Sequence, residues 1–303
     1  MSWVWEFVGL NPFLFNDVKK LWFLNIFYLT NFERLLDNIQ KYGKNNSMNR
    51  VNMIITDLDN SLLNSEGKIT EYTKDIFAKC KKHEIIVVFA TARPYRNTLI
   101  LFDSIKPDAS ICHCGGVIYI NDKIISQNGI YPDTSHNIIE MISKDYKNIN
   151  IGIECNDDFY TNFNTKIYWE NVNYRDMDLK KLPSGIIYKI VVGLEQMNDE
   201  KIINNYLTKE LYAEKLDNKV WLIMNKNATK WNGIKALLQY YGIKSENTIS
   251  FGDDDVDMEM IEKCGLGIAM ENGNAKIKNK AKIICKNNNE DGIAQWIEEN
   301  LFA

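Results

Sequence analysis

The chain has 303 residues, of which 25% are charged and 45% hydrophobic, and its formal net charge at pH 7 is -4. This length is enough for two domains and a sizeable core, and the composition is that of an ordinary soluble globular protein. The negative charge and the scattered lysines exclude general nucleic-acid binding, because no basic block would neutralise a phosphate backbone.

The first 48 residues form an aromatic-rich extension with few charges. We predict a helix over residues 15–41, apolar nearly all round at first and amphipathic later. Its apolar run, 21–32, is too short and too polar for a membrane-spanning helix of about 20 residues. The favoured interpretation is that residues 1–40 pack on the body of the protein or on a second copy, as a homodimer. The alternative is contact with a membrane surface.

From residue 49 onward the pattern predicts strands alternating with helices. Residues 51–56 are almost uninterruptedly apolar, as buried parallel strands are. Thr70 begins the next helix as its cap. The remaining predicted elements of this half are strands 85–89 and 110–112, a helix over 94–105, and a hairpin beginning with strand 117–120. Repeated strand, crossover and helix units predict a doubly wound parallel α/β sheet for residues 49–130.

The order of elements changes at about residue 131. The predicted elements there are helices 134–147 and 199–211 and strands 149–154, 159–162, 188–193 and 220–225. Strands and helices in this order predict an α+β cap over residues 131–222, inserted between two halves of the core. The second half, 223–303, resumes with helix 231–241, which we expect to end at Gly242, strand 248–251, helix 256–264 and strand 267–270.

Two carboxylates stand directly after the first strand, in Asp57-Leu58-Asp59. The end of such a strand lies at the carboxyl edge of the sheet, where open α/β sheets bind their ligands. Two acids there can hold a hard cation and attack phosphorus. Asp57 is our candidate nucleophile, forming an aspartyl-phosphate, and Asp59 our candidate acid and base, protonating the leaving group and deprotonating water.

Further polar residues follow in a fixed order along the chain. Thr91 comes at the end of strand 85–89, Lys230 precedes a helix, and Asp253 and Asp257 follow strand 248–251. Thr91 can donate its hydroxyl to phosphoryl oxygens, and Lys230 supplies a positive charge that offsets the nucleophile.

In this order the set resembles the haloacid dehalogenase superfamily of phosphohydrolases, and the segments 265–275 and 281–294 are similar to its Cof-like (class IIB) branch. The resemblance covers roughly residues 50–303. It implies that Mg²⁺ is held by the Asp57 carboxylate, the Asp59 backbone carbonyl and Asp253, with Asp257 in or just outside the first shell of ligands. Mg²⁺ prefers oxygen ligands and shares substrate phosphates, so it suits these residues.

Four residues depart from the family pattern. Val256 replaces an Asn that contacts the substrate phosphate, Cys114 replaces the Asn of an Asn-Gly pair before the cap, Ala92 replaces a Gly, and Trp231 stands where a Gly is usual. A valine side chain cannot hydrogen-bond a phosphate oxygen. We therefore expect slow turnover or an unusual substrate.

These patterns predict a Mg²⁺-dependent phosphomonoesterase for a small phosphorylated metabolite, with a sugar phosphate as the favoured class. The alternatives are a sugar phosphomutase and a catalytically weakened binding or scaffold protein. The six cysteines lie mostly in apolar stretches and are expected to be free thiols of a cytoplasmic protein, with peripheral membrane association as the alternative.

Overall fold

The structure is a computed structural model that describes residues 51–303 except residues 171 and 217. The predicted helix over 15–41 and the two interpretations of residues 1–40 lie outside the described residues. No helix in the described part of the chain is long and apolar enough to cross a membrane.

Fourteen strands and eight α-helices build the described part of the chain. The strands are β1 (Met53–Thr56), β2 (Ile86–Ala90), β3 (Ala109–Cys112), β4 (Val117–Ile120), β5 (Lys123–Gln127), β6 (Ile151–Cys155), β7 (Asp158–Thr161), β8 (Arg175–Asp176), β9 (Ile187–Gly193), β10 (Leu211–Leu216), β11 (Val220–Asn225), β12 (Thr248–Gly252), β13 (Leu266–Met270) and β14 (Ile283–Cys285). The helices are α1 (Glu71–Lys82), α2 (Arg96–Leu99), α3 (Pro132–Asp145), α4 (Glu200–Asn204), α5 (Lys230–Tyr241), α6 (Met258–Lys263), α7 (Ala275–Lys280) and α8 (Gly292–Leu301).

The larger sheet has eight strands in the order β14-β13-β12-β1-β2-β3-β4-β5. The first six run parallel, whereas β4 and β5 complete the edge as an antiparallel hairpin. Successive side chains of a strand point to opposite faces. Ile54 accordingly packs with residues of α1 and α8 on one face, and Met53 and Ile55 pack with residues of α5 and α6 on the other. The doubly wound α/β core is confirmed.

The smaller sheet has six strands in the order β10-β11-β9-β6-β7-β8, antiparallel except for the β7–β8 pair. It lies in the chain between β5 and α5 and forms the α+β cap. Alternate residues of β6 and β9, among them Ile153 and Ile190, pack against α3. The intervening residues therefore face away from that helix. The inserted cap is confirmed as a fold, while the boundaries 48/49, 130/131 and 222/223 stay predictions.

Two predicted helices are shorter in the structure. The helix predicted over 199–211 ends at Asn204, and Leu211–Leu216 form β10 instead, because these residues pair with β11 along its whole length. The helix predicted over 94–105 is reduced to α2, after which the chain continues in turns. Strands β8, β10 and β14 and helices α7 and α8 were not predicted.

Several local predictions hold. The Thr70 hydroxyl accepts a hydrogen bond from the Thr73 backbone N–H at the start of α1. Gly242 ends α5 in the left-handed conformation, with φ 65°, which glycine adopts without steric cost. All six cysteines are free and buried, as predicted.

Candidate active site

Three adjacent parallel strands bring the candidate residues together. Strand β1 lies between β2 and β12, and each of these strands ends in a polar residue or is followed by one. Asp57 follows β1 and donates its backbone N–H to the Phe251 carbonyl oxygen at 3.0 Å. Thr91 follows β2, and Asp253 follows β12. The carboxyl ends of parallel strands share one edge, so sequence-distant residues meet there.

Lys230 is the centre of the charge arrangement. Thr229 caps α5 by accepting a hydrogen bond from Asn232, and Lys230 is the first residue of that helix. Its Nζ lies 2.5 Å from Asp57 Oδ1 and 2.6 Å from Asp257 Oδ1, and the residue is 2% exposed. Burial alone would lower the pKa of this ammonium, but the two carboxylates outweigh burial and raise that pKa. Lys230 therefore remains a cation at neutral pH.

Burial raises the pKa of the Asp57 carboxyl from 3.8 to about 7; the Lys230 cation opposes this rise, and the nearby Asp257 and Asp253 add to it. Burial likewise raises the pKa of Asp253 to about 6, with a further contribution from Asp257. Asp57 Oδ2 accepts no hydrogen bond from any described residue. This oxygen is therefore available to a ligand, and so is Asp253 Oδ2, which also accepts no hydrogen bond from a described residue.

Asp257 is tied to its surroundings through both oxygens. Oδ1 accepts from Lys230, and Oδ2 accepts from the backbone N–H groups of Asp253 at 3.0 Å and Asp254 at 3.2 Å. These bonds fix Lys230 from one side and the turn after β12 from the other. They favour a position of Asp257 outside the first shell of a metal.

The carboxylates of Asp57, Asp253 and Asp257 form a cluster, in which Asp57 and Asp253 have oxygens free to bind a divalent cation directly. One oxygen from each lies within 4.8 Å of the others. Ligand oxygens 2.0–2.1 Å from an octahedral ion lie about 3–4 Å apart, and hard divalent ions prefer all-oxygen sites. Asp253 Oδ1 also accepts a hydrogen bond from Ser61 at 3.2 Å, which orients this carboxylate.

Asp59 lies outside this carboxylate cluster. Asn60 adopts a left-handed conformation with φ 58°, as expected of an Asn in this turn, and the Leu63 N–H closes the turn on the Leu58 carbonyl oxygen at 2.8 Å. The Asp59 side chain, about half exposed, accepts two hydrogen bonds from Arg93, at 2.8 Å from Nε and 2.5 Å from Nη2. This placement does not support metal binding by the Asp59 carboxylate. Metal binding by the Asp59 backbone carbonyl stays a prediction.

Arg93 is a residue that the sequence reasoning missed. It stands two positions after Thr91 in the loop that follows β2, and its backbone N–H donates to the Thr91 hydroxyl oxygen at 3.1 Å. Its position in the loop that carries Thr91 was the sequence signal that could have identified Arg93. Thr91 itself is fully buried, and among the described residues its hydroxyl hydrogen has no acceptor, so it can donate to a ligand.

Comparisons with known proteins identify the family of the chain. The haloacid dehalogenase-like hydrolase family matches residues 54–297. The chain belongs to this family. A 5-amino-6-(5-phospho-D-ribitylamino)uracil phosphatase of Bacillus subtilis is 26% identical over 261 residues, covering 82% of this chain and 96% of the relative.

Two solved structures share the fold of this haloacid dehalogenase-like hydrolase. A Thermotoga maritima protein superposes with a TM-score of 0.76 at 24% identity, covering 83% of this chain and 98% of that protein. A sugar phosphatase of haloacid dehalogenase subclass IIB superposes with a TM-score of 0.67 at 20% identity, covering 82% and 98%. The predicted family and class IIB fold are confirmed, and so is the prediction of a phosphatase.

The cap of this hydrolase contacts the core beside the site. Arg96, the first residue of α2, donates to both carboxylate oxygens of Glu154 on the cap strand β6, at 2.8 and 2.9 Å. Its backbone N–H donates to Asp157 Oδ1 at 3.1 Å, and Lys189 on β9 donates to the Ala92 carbonyl oxygen at 2.9 Å. These contacts hold the cap against the loop that carries Thr91.

The residues that depart from the family pattern have different surroundings in this hydrolase. Val256 is 44% exposed in the single turn after β12 and offers no hydrogen-bonding group. Cys114 is buried with φ 57°, and its backbone N–H donates to the Thr91 carbonyl oxygen at 2.9 Å. Cys114 therefore still supports the Thr91 loop, whereas Val256 leaves a contact unmade.

Proposed function

We propose that the protein is a Mg²⁺-dependent phosphomonoesterase that acts on a small phosphorylated metabolite through an aspartyl-phosphate. The observation that carries the proposal is the state of Asp57: one oxygen is held by the buried Lys230 cation, and the other accepts no hydrogen bond from the described residues. A phosphate ester is anionic, so a carboxylate can attack it only where cations offset the charge. Lys230 supplies one such charge.

The Asp57 and Asp253 carboxylates, with the Asp59 backbone carbonyl, are the groups that would hold Mg²⁺, and Asp257 would act outside them by fixing Lys230. When bound, the ion neutralises charge on the phosphoryl group and the nucleophile. The Thr91 hydroxyl and the Lys230 ammonium bind phosphoryl oxygens. Each of these roles uses a group whose hydrogen-bonding capacity is compatible with it.

The reaction has two steps. In the first, Asp57 Oδ2 forms a bond to phosphorus as the bond to the leaving-group oxygen breaks, and Asp59 gives that oxygen a proton. In the second, Asp59 takes a proton from water, and the water oxygen attacks phosphorus. The bond to Asp57 breaks, orthophosphate leaves and the free carboxylate is restored. Arg93 orients the Asp59 carboxylate through its two hydrogen bonds.

The favoured substrate class is a sugar or sugar-alcohol phosphate. Two similar proteins support it by their names: one is a sugar phosphatase, and the other acts on a phosphorylated ribityl compound. Both substrates carry a polyhydroxylated chain next to the phosphate.

The test is phosphate release from a panel of sugar phosphates, with Mg²⁺ or with a chelator. We expect release only with the metal, and a loss of about a thousandfold or more in Asp57→Asn, because that substitution removes the nucleophile. Asp75→Asn, an exposed aspartate of α1, is the matched control and should keep full activity. Full activity of Asp57→Asn would contradict the mechanism. Isomerised sugar phosphate without free phosphate would identify a mutase, and no turnover across the panel would favour a binding protein.

A further inference from the structure

Lys189 is a cap residue that reaches the catalytic loop of the core. It lies on β9 opposite Glu154 of β6, on the cap-sheet face that points away from α3. Its Nζ donates to the Ala92 carbonyl oxygen at 2.9 Å. Ala92 stands between Thr91 and Arg93, so the ammonium lies beside the loop that we assign to phosphate binding.

Within the described part of the chain this ammonium forms no ion pair, although its charge opposes the rise in pKa that burial causes at Glu154 and Glu214. No described carboxylate oxygen lies within 4.0 Å of Lys189 Nζ, although Glu154 is its direct cross-strand neighbour. Both oxygens of Glu154 are already taken by Arg96. An ammonium has three N–H donors, and the Ala92 carbonyl uses one. Lys189 thus brings a positive charge and two donors to the loop that carries Thr91.

Lys230 in the core and Lys189 in the cap both influence the pKa of one buried residue, Cys114. Burial raises the pKa of the Cys114 thiol, and the ammonium groups of Lys189 and Lys230 both oppose that rise. The Cys114 backbone in turn holds the Thr91 carbonyl. Lys189 and Lys230 therefore both lie near the loop that begins at Thr91, one from each domain.

We propose that Lys189 is a substrate-binding residue that adds a second cation to the phosphate site from the cap. The inference rests on the proposed function and deepens it, since the anion is the phosphoryl group of the substrate or the orthophosphate product. Charge-assisted hydrogen bonds to phosphate are among the stronger polar interactions. Lys189 supplies one at a site where Val256 has no donor, and it favours the cap position seen here whenever the anion is bound.

The experiment measures the dissociation constant of orthophosphate by calorimetry, on the full chain with Mg²⁺ present. Lys189→Met removes the charge and the donors and should weaken orthophosphate binding about tenfold or more. Lys189→Arg keeps the charge and should stay within about threefold of the wild type. Lys219→Met is the matched control. Lys219 Nζ also donates to a backbone carbonyl oxygen, that of Tyr168 at 3.0 Å, but this contact lies within the cap. The orthophosphate affinity of Lys219→Met should therefore equal that of the wild type.

A fourth variant separates phosphate binding from simple attachment of the cap. In Lys189→Gln the side-chain amide can still donate to the Ala92 carbonyl, but the charge is lost. We expect Lys189→Gln to weaken orthophosphate binding nearly as much as Lys189→Met does. Wild-type affinity in either variant, with unchanged thermal unfolding, overturns the proposal. Orthophosphate binding is measured without turnover, so its outcome is independent of the phosphate-release assay. If Asp57→Asn loses phosphate release but the Lys189 variants bind orthophosphate like the wild type, only the role of Lys189 is refuted.

Discussion

Replacing Lys230 by methionine should destabilise the fold in a pH-dependent way. The substitution keeps most of the side-chain volume but removes the cation that lies 2.5 Å from Asp57 and 2.6 Å from Asp257. Asp253 is the third carboxylate of the cluster, with its oxygen within 4.8 Å of the others. The variant therefore leaves three neighbouring carboxylates, two of them buried and Asp253 partly buried, without their cation.

The magnitude follows from two opposing effects. Two unit charges about 4 Å apart interact by about 4 kcal/mol at an effective dielectric constant of about 20, so loss of two attractions is costly. Removing the buried ammonium also removes its desolvation penalty, which is several kcal/mol. Breaking a buried ion pair from one side has a net cost of about 3–5 kcal/mol, and we expect a value in this range for Lys230→Met at pH 8.

The cost should decrease at low pH. The Asp57 pKa is about 7 in the folded protein against an ordinary 3.8, and without Lys230 it should rise further. A carboxyl with a raised folded-state pKa binds more protons when native, so stability is lost as pH rises through that pKa. Protonation at pH 5 relieves the repulsion, and the deficit of Lys230→Met should be smaller there than at pH 8.

Urea unfolding at pH 5 and pH 8 measures this difference. Lys235→Met, an exposed lysine on the same helix, is the control and should stay within about 0.5 kcal/mol of the wild type. Adding Asp57→Asn to Lys230→Met should restore part of the lost stability at pH 8. A deficit below about 1 kcal/mol at pH 8, or the same deficit at both pH values, would refute the charge argument.

Three further predictions concern the backbone, the metal and the acid–base residue. Gly115→Ala should cost more than 2 kcal/mol in urea unfolding, since an added Cβ would lie 2.1 Å from a backbone oxygen at φ +106°, whereas Gly67→Ala, with open space, should cost about 1 kcal/mol. Mg²⁺ affinity measured by calorimetry should fall from pH 8 to pH 5, because protons compete for Asp57 below its pKa of about 7; a flat profile would exclude Asp57 as a ligand. Arg93→Met should lower kcat by about tenfold or more with an intact fold, because Asp59 loses its orientation, while Arg93→Lys should recover little since it lacks the two-point contact.

The core of the fold, and the meeting of Asp57, Lys230, Asp253 and Asp257 at one sheet edge, could be predicted because their sequence signals are local. Apolar strands followed directly by polar residues, as at Asp57 and Asp253, place those residues at one edge whenever the strands are parallel and adjacent. The position of Lys230 could be predicted because it directly precedes the predicted helix 231–241. The candidate residues therefore lie in short sequence segments, and the order of the parallel strands brings these segments together.

Other features depend on contacts that no short segment reveals. Strand β10 was not predicted, and only its first residue, Leu211, fell within a predicted helix; its pairing with β11 determines the strand. Arg93 and Lys189 are ordinary residues in the sequence, and each gains its place through a partner far along the chain, Asp59 and Ala92 respectively. Pro94 is compatible with a helix start, but nothing in the sequence indicated that α2 would end at Leu99.

The charge of the site gives a physical reason for its need of cations. Three carboxylates and one ammonium leave two negative charges when all are ionised, and burial together with the neighbouring carboxylates raises the pKa of Asp57 to about 7 and that of Asp253 to about 6. A divalent cation would cancel those two charges, but a phosphate monoester then brings about two more. A second ammonium from the cap, that of Lys189, offsets part of this addition only while the cap lies on the core. On the proposed role of Lys189, a bound phosphate therefore stabilises the cap position seen here.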